Sequence, residues 1–371
     1  MATPEPQTSR GAASRFPCSQ CGAALEYAPG TKAIACGYCA FENEVPEPTA
    51  EVVEHDFEQT LASLGGAQET QEALDIACDS CGAKIHGLEQ RTSTRCAFCD
   101  APVVATRVSS KLIKPNALLP FKIDKRRAAD LFLGWLGKLW FAPSDLKKAA
   151  QVDGRLNGLY IPAWTFDSRA TTAYTGQRGD AYYVSVSYTA TVNGRPVRKT
   201  RQERRIRWSS ASGTVHDRFD DVLVLASDSL PKEMARELEP WDLPALVPYA
   251  DEYLSGFGAE SYQVDLRAGF DIAQGIMRRA IEMSVRRDIG GDEQRIASLS
   301  TRHSGVTYKH ILLPVWVAAY RYRGKVFRFL VNARTGEVRG QRPYSASKIA
   351  AAVALALAAI GVIVLVLTLR R

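Results

Sequence analysis

Eight cysteines fall in four Cys-x2-Cys pairs: Cys18 with Cys21, Cys36 with Cys39, Cys78 with Cys81 and Cys96 with Cys99. Two residues between cysteines make a tight knuckle whose sulfurs face one ion, and two knuckles close a tetrahedron around it. Both sets read Cys-x2-Cys-x14-Cys-x2-Cys, and each cysteine of the second lies sixty residues after its counterpart in the first. Gly22-Ala23 and Gly82-Ala83 follow the second cysteine of each set. The spacing is therefore an internal repeat. Four thiolates fill the coordination shell and leave no position for a water, so the expected cofactor is zinc, two structural ions, one per module. Iron–sulfur ligation uses the same donors and stays open on spacing alone. Disulfides would need an oxidising compartment, and no βαβ pattern surrounds any pair as a thioredoxin-like site would require. His86 lies inside the second set, which four cysteines already complete, and reads as a surface residue.

A module of this size buries too little to fold alone, so the metal supplies the energy, on the order of 10–16 kcal/mol per site. The expected frame is a short hairpin between knuckles, with Gly22 and Gly82 suited to positive φ where N–H groups turn toward sulfur. Between the modules, Glu44-Val-Pro-Glu-Pro reads as an acidic linker. Thr49 could then cap a helix with Val53, Phe57, Leu61 and Leu64 on one face, ending at Gly65-Gly66.

Charge narrows the partner. The net charge is +7, but residues 1–104 hold 6 Lys+Arg against 15 Asp+Glu, and the remainder 41 against 25. Zinc with four thiolates adds further negative charge. Such a surface repels a phosphate backbone, whose binding needs Lys and Arg to displace counterions. Protein recognition is the expectation for the acidic modules.

Further on the chain reads as mixed α+β with mostly antiparallel strands. Asp124 can cap a helix to about Trp140 with Ala128, Leu131, Phe132, Trp135 and Leu139 on one face. From Tyr182 to Val192 the residues alternate in polarity, and Asn193-Gly194 supplies a two-residue hairpin turn. That turn sets Lys199 opposite Tyr188 and Arg201 opposite Val186. The returning segment, Arg195–Arg207, holds seven basic residues and one acid. It suits a solvated edge strand, a contact for anionic lipid, or a nucleic-acid surface. Asp265 starts the clearest helix, with Leu266, Phe270, Ala273, Met277, Ala280 and Ser284 in phase and Gly290-Gly291 at its end. Ile161-Pro-Ala-Trp164 and Leu313-Pro-Val-Trp316 share a pattern that hints at two related halves. His216-Asp217 and Asp220-Asp221 read as strand-end and turn chemistry. No Walker, HExxH or GxSxG motif occurs, and the chain reads as a protein that is not an enzyme.

Ile349–Leu369 is 21 residues without charge, twelve of them Leu, Ile or Val. At about 1.5 Å per residue it matches a hydrocarbon core of about 30 Å. Arg334, Arg339, Arg342 and Lys348 precede it and only Arg370 and Arg371 follow, which favours keeping the N-terminal bulk inside. Ala350, Ala354 and Ala358 recur on one face, as close-packing helices in lipid use or as alanine-rich spans simply contain. The expected location is the cell membrane: a single-pass tail anchor with residues 1–345 in the cytoplasm.

With IPAWTFD, FDDVLV, LLPVW and NARTGEV in the body, two ribbons and a terminal span, the chain resembles bacterial tail-anchored double zinc-ribbon proteins. These carry the label TFIIB-type zinc-ribbon protein, or primosomal protein N′ or superfamily II helicase-like. The helicase label implies a Walker lysine and an acidic ATPase motif that this sequence lacks. The resemblance further implies an association with SPFH-domain or phage-shock-type membrane proteins. The resulting plan is a tail at 1–14, ribbons at 15–45 and 75–104, and an acidic linker with a short helix at 46–74. An α+β domain follows at 105–345 and the anchor at 346–371. The expected function is a membrane-anchored adaptor that recruits a protein partner, with a membrane-tethered nucleic-acid-binding protein linked to replication or transcription as the alternative.

Overall fold

The computed structural model describes residues 18–23, 25, 27–31, 33–44, 51–63, 70–79, 83–86, 94–96, 98, 101–103, 107–146, 156–192, 195–323 and 325–369. The architecture is mixed α+β, built on one large sheet with a C-terminal apolar helix.

Two small strands, β1 (Ala33–Ala35) and β2 (Glu42–Glu44), form the hairpin of the first cysteine module. Strand β3 (His55–Asp56) leads into helix α1 (Phe57–Ser63). This helix is shorter than the pattern from Thr49 suggests, because Asp56 caps it by accepting from the Gln59 N–H at 2.8 Å. Phe57 is buried and Leu61 half-buried, as their spacing requires, but Val53, placed on the same face by the pattern, precedes the helix and is exposed; Thr49 and Leu64 lie outside the described residues. Strand β4 (Thr70–Ala77), in the segment read as linker and second ribbon, pairs with β8 (Arg107–Ile113) from Thr70↔Ile113 to Ile76↔Arg107. Between them come β5 (Lys84–His86) and the hairpin β6 (Thr94–Arg95) with β7 (Pro102–Val103).

The body contains two copies of one unit. The first runs β9 (Ala117–Leu118), α2 (Lys125–Gly137), β10 (Asn157–Val192) and β11 (Arg195–Leu225). After helix α3 (Lys232–Arg236) and strand β12 (Val247–Pro248), the second runs β13 (Gly258–Glu260), α4 (Leu266–Ile289), β14 (Glu293–Tyr322) and β15 (Lys325–Asn332). The central order is β11-β10-β14-β15, all antiparallel, and Ile161 pairs directly with Leu313. Each short strand runs parallel to the long strand of the other unit's position: β13 beside Leu159 and Tyr160, β9 beside Ile311 and Leu312. Asp124 and Asp265 cap their helices through the same bond, to Arg127 N and Ala268 N at 2.7 and 2.8 Å. Trp316 donates its indole N–H to Ile123 O and Trp164 donates to Val264 O, in both cases the carbonyl just before the capping aspartate. Ala333 N meets Pro314 O as Ala226 N meets Pro162 O. The two Pro-x-Trp motifs thus lie side by side on a local twofold axis, the structural content of the pattern they share.

Strand β10 spans 36 residues, β11 spans 31 and β14 spans 30, where strands of about 5–6 residues are usual. From Tyr182, unbroken alternation of Tyr and Val with Ser and Thr lets β10 run on toward its turn. Helix α4 covers one face of this triple-stranded arm with Phe270, Ala273, Met277, Ile281, Val285 and Ile289 buried. The buried line keeps the four-residue step rather than reaching Ala280 and Ser284, because the helix follows a twisted sheet. Gly290, at φ 67°, ends it. Pairing to β14 stops at Gly179↔Glu293, and a two-stranded hairpin alone continues to Val192↔Arg195. Val186↔Arg201 and Tyr188↔Lys199 have the register read from the turn. Arg201 and Arg207 lie over the rings of Tyr188 and Tyr182, so cationic stems cover aromatic surface that no core covers.

Strand β16 (Val338–Gly340) closes the sheet edge against β15, and helix α5 (Ala346–Leu369) follows. This helix is long and apolar enough to cross a membrane and has no buried residue.

Candidate metal centre

The sulfurs of Cys18, Cys21, Cys36 and Cys39 all lie within 4.8 Å of one another. Cys18 Sγ is 3.6 Å from Cys39 Sγ, and Cys21 Sγ is 3.5 Å from Cys36 Sγ. A tetrahedral zinc with bonds of about 2.3 Å sets its sulfurs about 3.8 Å apart, so the four residues fit one ion. No disulfide joins them.

Both knuckles are built by the same backbone bonds. Cys18 N donates to Ala23 O and Gly22 N to Cys18 O, each at 2.8 Å; Cys36 N donates to Phe41 O and Ala40 N to Cys36 O, each at 2.9 Å. Each turn needs positive φ after its second cysteine, supplied by Gly22 at 73° and, less comfortably, Ala40 at 57°. Asn43, on β2, ties the halves together. Its amide reaches Cys18 Sγ at 3.7 Å, and its Oδ1 accepts from the backbone N–H and hydroxyl of Ser19 at 3.0 and 2.9 Å.

Electrostatics complete the cage. Burial disfavours an ionised Cys18, but the N–H groups of Cys21 and Gln20, with Asn43 and Cys39, bring this thiol down to about 6. N–H groups of Cys39 and Tyr38 lower Cys36 as well. At Cys39 the Phe41 N–H favours the thiolate, yet burial and the three neighbouring sulfurs outweigh it and push the thiol up to about 12. Cys21 is also raised: the Ala23 N–H and Cys39 favour its ionisation, and Cys36, burial and Cys18 oppose it. Two thiols are shifted toward the thiolate and two away from it by their neighbours, a conflict among four close sulfurs that a bound cation would relieve.

In the second module Cys78 and Cys96 are described, while Cys81, Cys99 and Gly82 lie outside the described residues. Cys78 N donates to Ala83 O and Cys96 N to Ala101 O, both at 2.8 Å, the bond found at Cys18 and Cys36. The hairpins also share register, Thr94↔Val103 and Arg95↔Pro102 repeating Ile34↔Asn43 and Ala35↔Glu42 sixty residues on.

The modules dock on opposite faces of the sheet. Cys18, Leu25, Tyr27, Ile34 and Cys36 join the core of Tyr160, Leu312, Trp316 and Phe329. Tyr27 N donates to Ser255 O and Gly30 N to Phe121 O. Cys78, Ile85, Cys96 and Phe98 join Leu159, Ile161, Ile311 and Leu313 on the other side. There β5 is a strand of the main sheet, and its His86 pairs with Ala259.

A second polar cluster was not legible in the sequence. Lys309, 6% exposed, pairs with Glu54 at 2.9 Å and Asp221 at 2.7 Å. Asp167 sits at a bulge in β10 and accepts from Asp221 N, while Asp221 adopts a φ of 51°. Asp217 accepts from Ser284 on α4 at 2.6 Å. Asp217 and Asp221 stand within β11 rather than at a strand end, because the strand runs on past them; of the two, Asp221, opposite the bulge at Asp167, reaches Lys309.

No protein-family profile matches the chain, and no solved structure matches it. It is similar to the uncharacterized protein YdjG of Bacillus subtilis (strain 168), with 25% identity over 264 residues that cover 68% of this chain and 70% of that protein.

Proposed function

We propose that this protein is a membrane-anchored adaptor in which two cysteine modules each hold a structural zinc and the first presents a docking surface for a protein partner. Helix α5 is the tail anchor, and the remainder faces the cytoplasm, where thiolates persist. The observation that carries the reading is a contrast at one position of the repeat. Phe98, in the last knuckle of the second module, is 0% exposed and lies in the apolar cluster of the sheet; its counterpart Tyr38 is 89% exposed, with Phe41 beside it at 42%. The same knuckle that seats one module on an apolar surface therefore projects its aromatic outward in the other. Exposed aromatic anchors on an N-terminal segment with 15 Asp+Glu against 6 Lys+Arg suit a partner with an apolar pocket and a basic rim.

The full-length protein in detergent should contain two zinc ions, read by metal analysis. A photo-crosslinking amino acid at position 38 should trap a discrete protein in cells, and one at Thr31, on the same module, should not. Equal capture from both positions, or a metal content of zero, would count against the reading.

A second reading has its own support. The hairpin beyond Gly179 is covered by neither β14 nor α4, and Arg195–Arg207 carries seven basic residues along it beside exposed Tyr182, Tyr183 and Tyr188. Such a surface suits nucleic acid or anionic lipid. Binding that falls steeply with salt and vanishes on reversing the charge of Arg198, Lys199 and Arg201 would favour it.

A further inference from the structure

The loop after α2 leaves two large aromatic side chains in the open. Trp140 is 78% exposed and Phe141 is 41% exposed, although the loop itself is fixed. Ala142 and Leu146 are buried beneath it, and Asp145 accepts from the Tyr322 hydroxyl at 2.8 Å. The same loop grips the root of the apolar helix. Ser345 N donates to Phe141 O and Lys348 Nζ donates to Ala142 O, both at 2.8 Å. Tyr344, 60% exposed, precedes the helix with the Arg342 guanidinium over its ring at 5.3 Å. A rigid tryptophan held in water beside a span has no use in the core of the body.

We propose that Trp140, Phe141 and Tyr344 form a membrane-interface seat, which holds the body against the headgroup layer of the bilayer that α5 crosses. The proposal rests on α5 being a span. Its depth follows from the helix. Ser345 precedes the first apolar residue, Ile349, by four positions, about 6 Å at 1.5 Å per residue. The interfacial layer of one leaflet is about 5–8 Å thick, given a hydrocarbon core of about 30 Å in a bilayer of about 40–45 Å. The loop bonded to Ser345 is thereby held at headgroup level, where the amphipathic rings of Trp and Tyr are most stable. Arg342, over the Tyr344 ring, and Lys348, bonded to Ala142 O, add positive charge at the same level, which favours anionic headgroups. Two contacts, a span and a seat, orient the body on the membrane where a span alone would leave it free to swing.

The test uses full-length protein in phosphatidylcholine and phosphatidylglycerol vesicles, comparing the native chain with Trp140→Phe. That substitution is at an exposed site and should leave the circular dichroism spectrum unchanged. Lipid brominated near the headgroup end of its acyl chains should quench the native protein more than the variant, and the emission lost in the variant should be shielded from aqueous iodide. Emission from Trp140 that iodide quenches as fully in vesicles as in denaturant, and brominated lipid leaves untouched, would overturn the seat. Washing with alkaline carbonate separates the two readings. Protein stripped from the vesicles would overturn the span itself, whereas protein retained with an iodide-accessible Trp140 would overturn the seat alone.

Discussion

Asn43→Val converts the first module to the residue that the second carries at the same place, Val103, and its effect can be worked from the bonds it removes. The native amide donates to Cys18 Sγ at 3.7 Å and to Phe41 O and Ile34 O at 3.3 and 3.4 Å, and its oxygen accepts two bonds from Ser19 at 3.0 and 2.9 Å. A hydrogen bond to a charged group contributes about 1.5–3 kcal/mol, and a neutral bond about 0.5–1.5 kcal/mol. The donor distance is long for sulfur and Asn43 is only half-buried, so the low end applies. Loss of partners that orient a ligand typically costs about 10–100-fold in metal affinity, and about tenfold, or 1.4 kcal/mol, is expected here. The assay is competition against a colorimetric zinc chelator with full-length protein in detergent. On the proposal of two zinc ions, one should transfer at about tenfold lower chelator concentration, while the other, proposed at Cys78, Cys81, Cys96 and Cys99, should keep its native affinity and serve as the internal standard. Asn43→Asp keeps an acceptor for Ser19 but loses the donor to sulfur, and should fall at least as far. A change below about twofold in both variants, or equal weakening of both ions, would refute the assignment of Asn43 as the residue that positions Cys18.

Lys309→Met should destabilise the fold by about 3 kcal/mol, the lower part of the range for breaking a buried pair because Glu54 and Asp221 are themselves about a third exposed; thermal melting near neutral pH that is unchanged would refute it. Asp167→Asn should have the opposite sign. Burial, opposed by the Asp221 N–H and reinforced by Glu54, pushes the Asp167 carboxyl up to about 6, so its contribution is full below the unfolded value of about 3.9 and is lost as pH rises through about 6. The variant should therefore gain on the native protein as pH rises from about 4 to about 6 and hold that gain above it, by about 1 kcal/mol after allowing for partial exposure, and a native advantage that grows with pH would contradict this. Asp124→Ala and Asp265→Ala should each cost about 1 kcal/mol as lost helix caps, measured by denaturant unfolding; a cost at one site and none at the other would undercut the equivalence of the two units.

The parts of this molecule governed by short-range chemistry were legible in its residues. Cysteine spacing located the cage and its repeat, Asn193-Gly194 set the register of a hairpin, and Asp124 and Asp265 marked helix starts that the structure reproduces at those residues. The apolar run at 349–369 was equally plain. What could not be read depends on contacts between distant segments. Lys309 looks like any strand lysine until the bulge at Asp167 brings Asp221 to it and the pairing of β3 with β14 brings Glu54. Asn43 is one polar residue among several in its hairpin, and only the fold places it over Cys18. The Pro-x-Trp motifs hinted at two halves, but the equivalence lies in backbone carbonyls before Asp124 and Asp265, which carry no residue signature. Strand length escaped for another reason: alternation states that a segment is extended, and says nothing of when a neighbour stops pairing with it.

Two duplications of different period are therefore superimposed, and they are used differently. In the body, symmetry is kept where it bears load: both tryptophans, both capping aspartates and both alanine turns make the same bonds. At the edges it is broken. The outer partner of β13 is β5, from the second cysteine module, whereas the outer partner of β9 is β12, from the body itself. The second module thus supplies a strand that its half of the sheet requires, and spends its knuckle aromatic, Phe98, on the core. Among the described residues the first module adds no strand to that sheet, and its Tyr38 stays in solvent. Leu25, Tyr27 and Ile34 seat the first module on the core, so its knuckle aromatic stays free where that of its twin is buried. On the adaptor proposal, Tyr38 is therefore the part of the first module that a partner would cover without disturbing the residues that hold the module to the body.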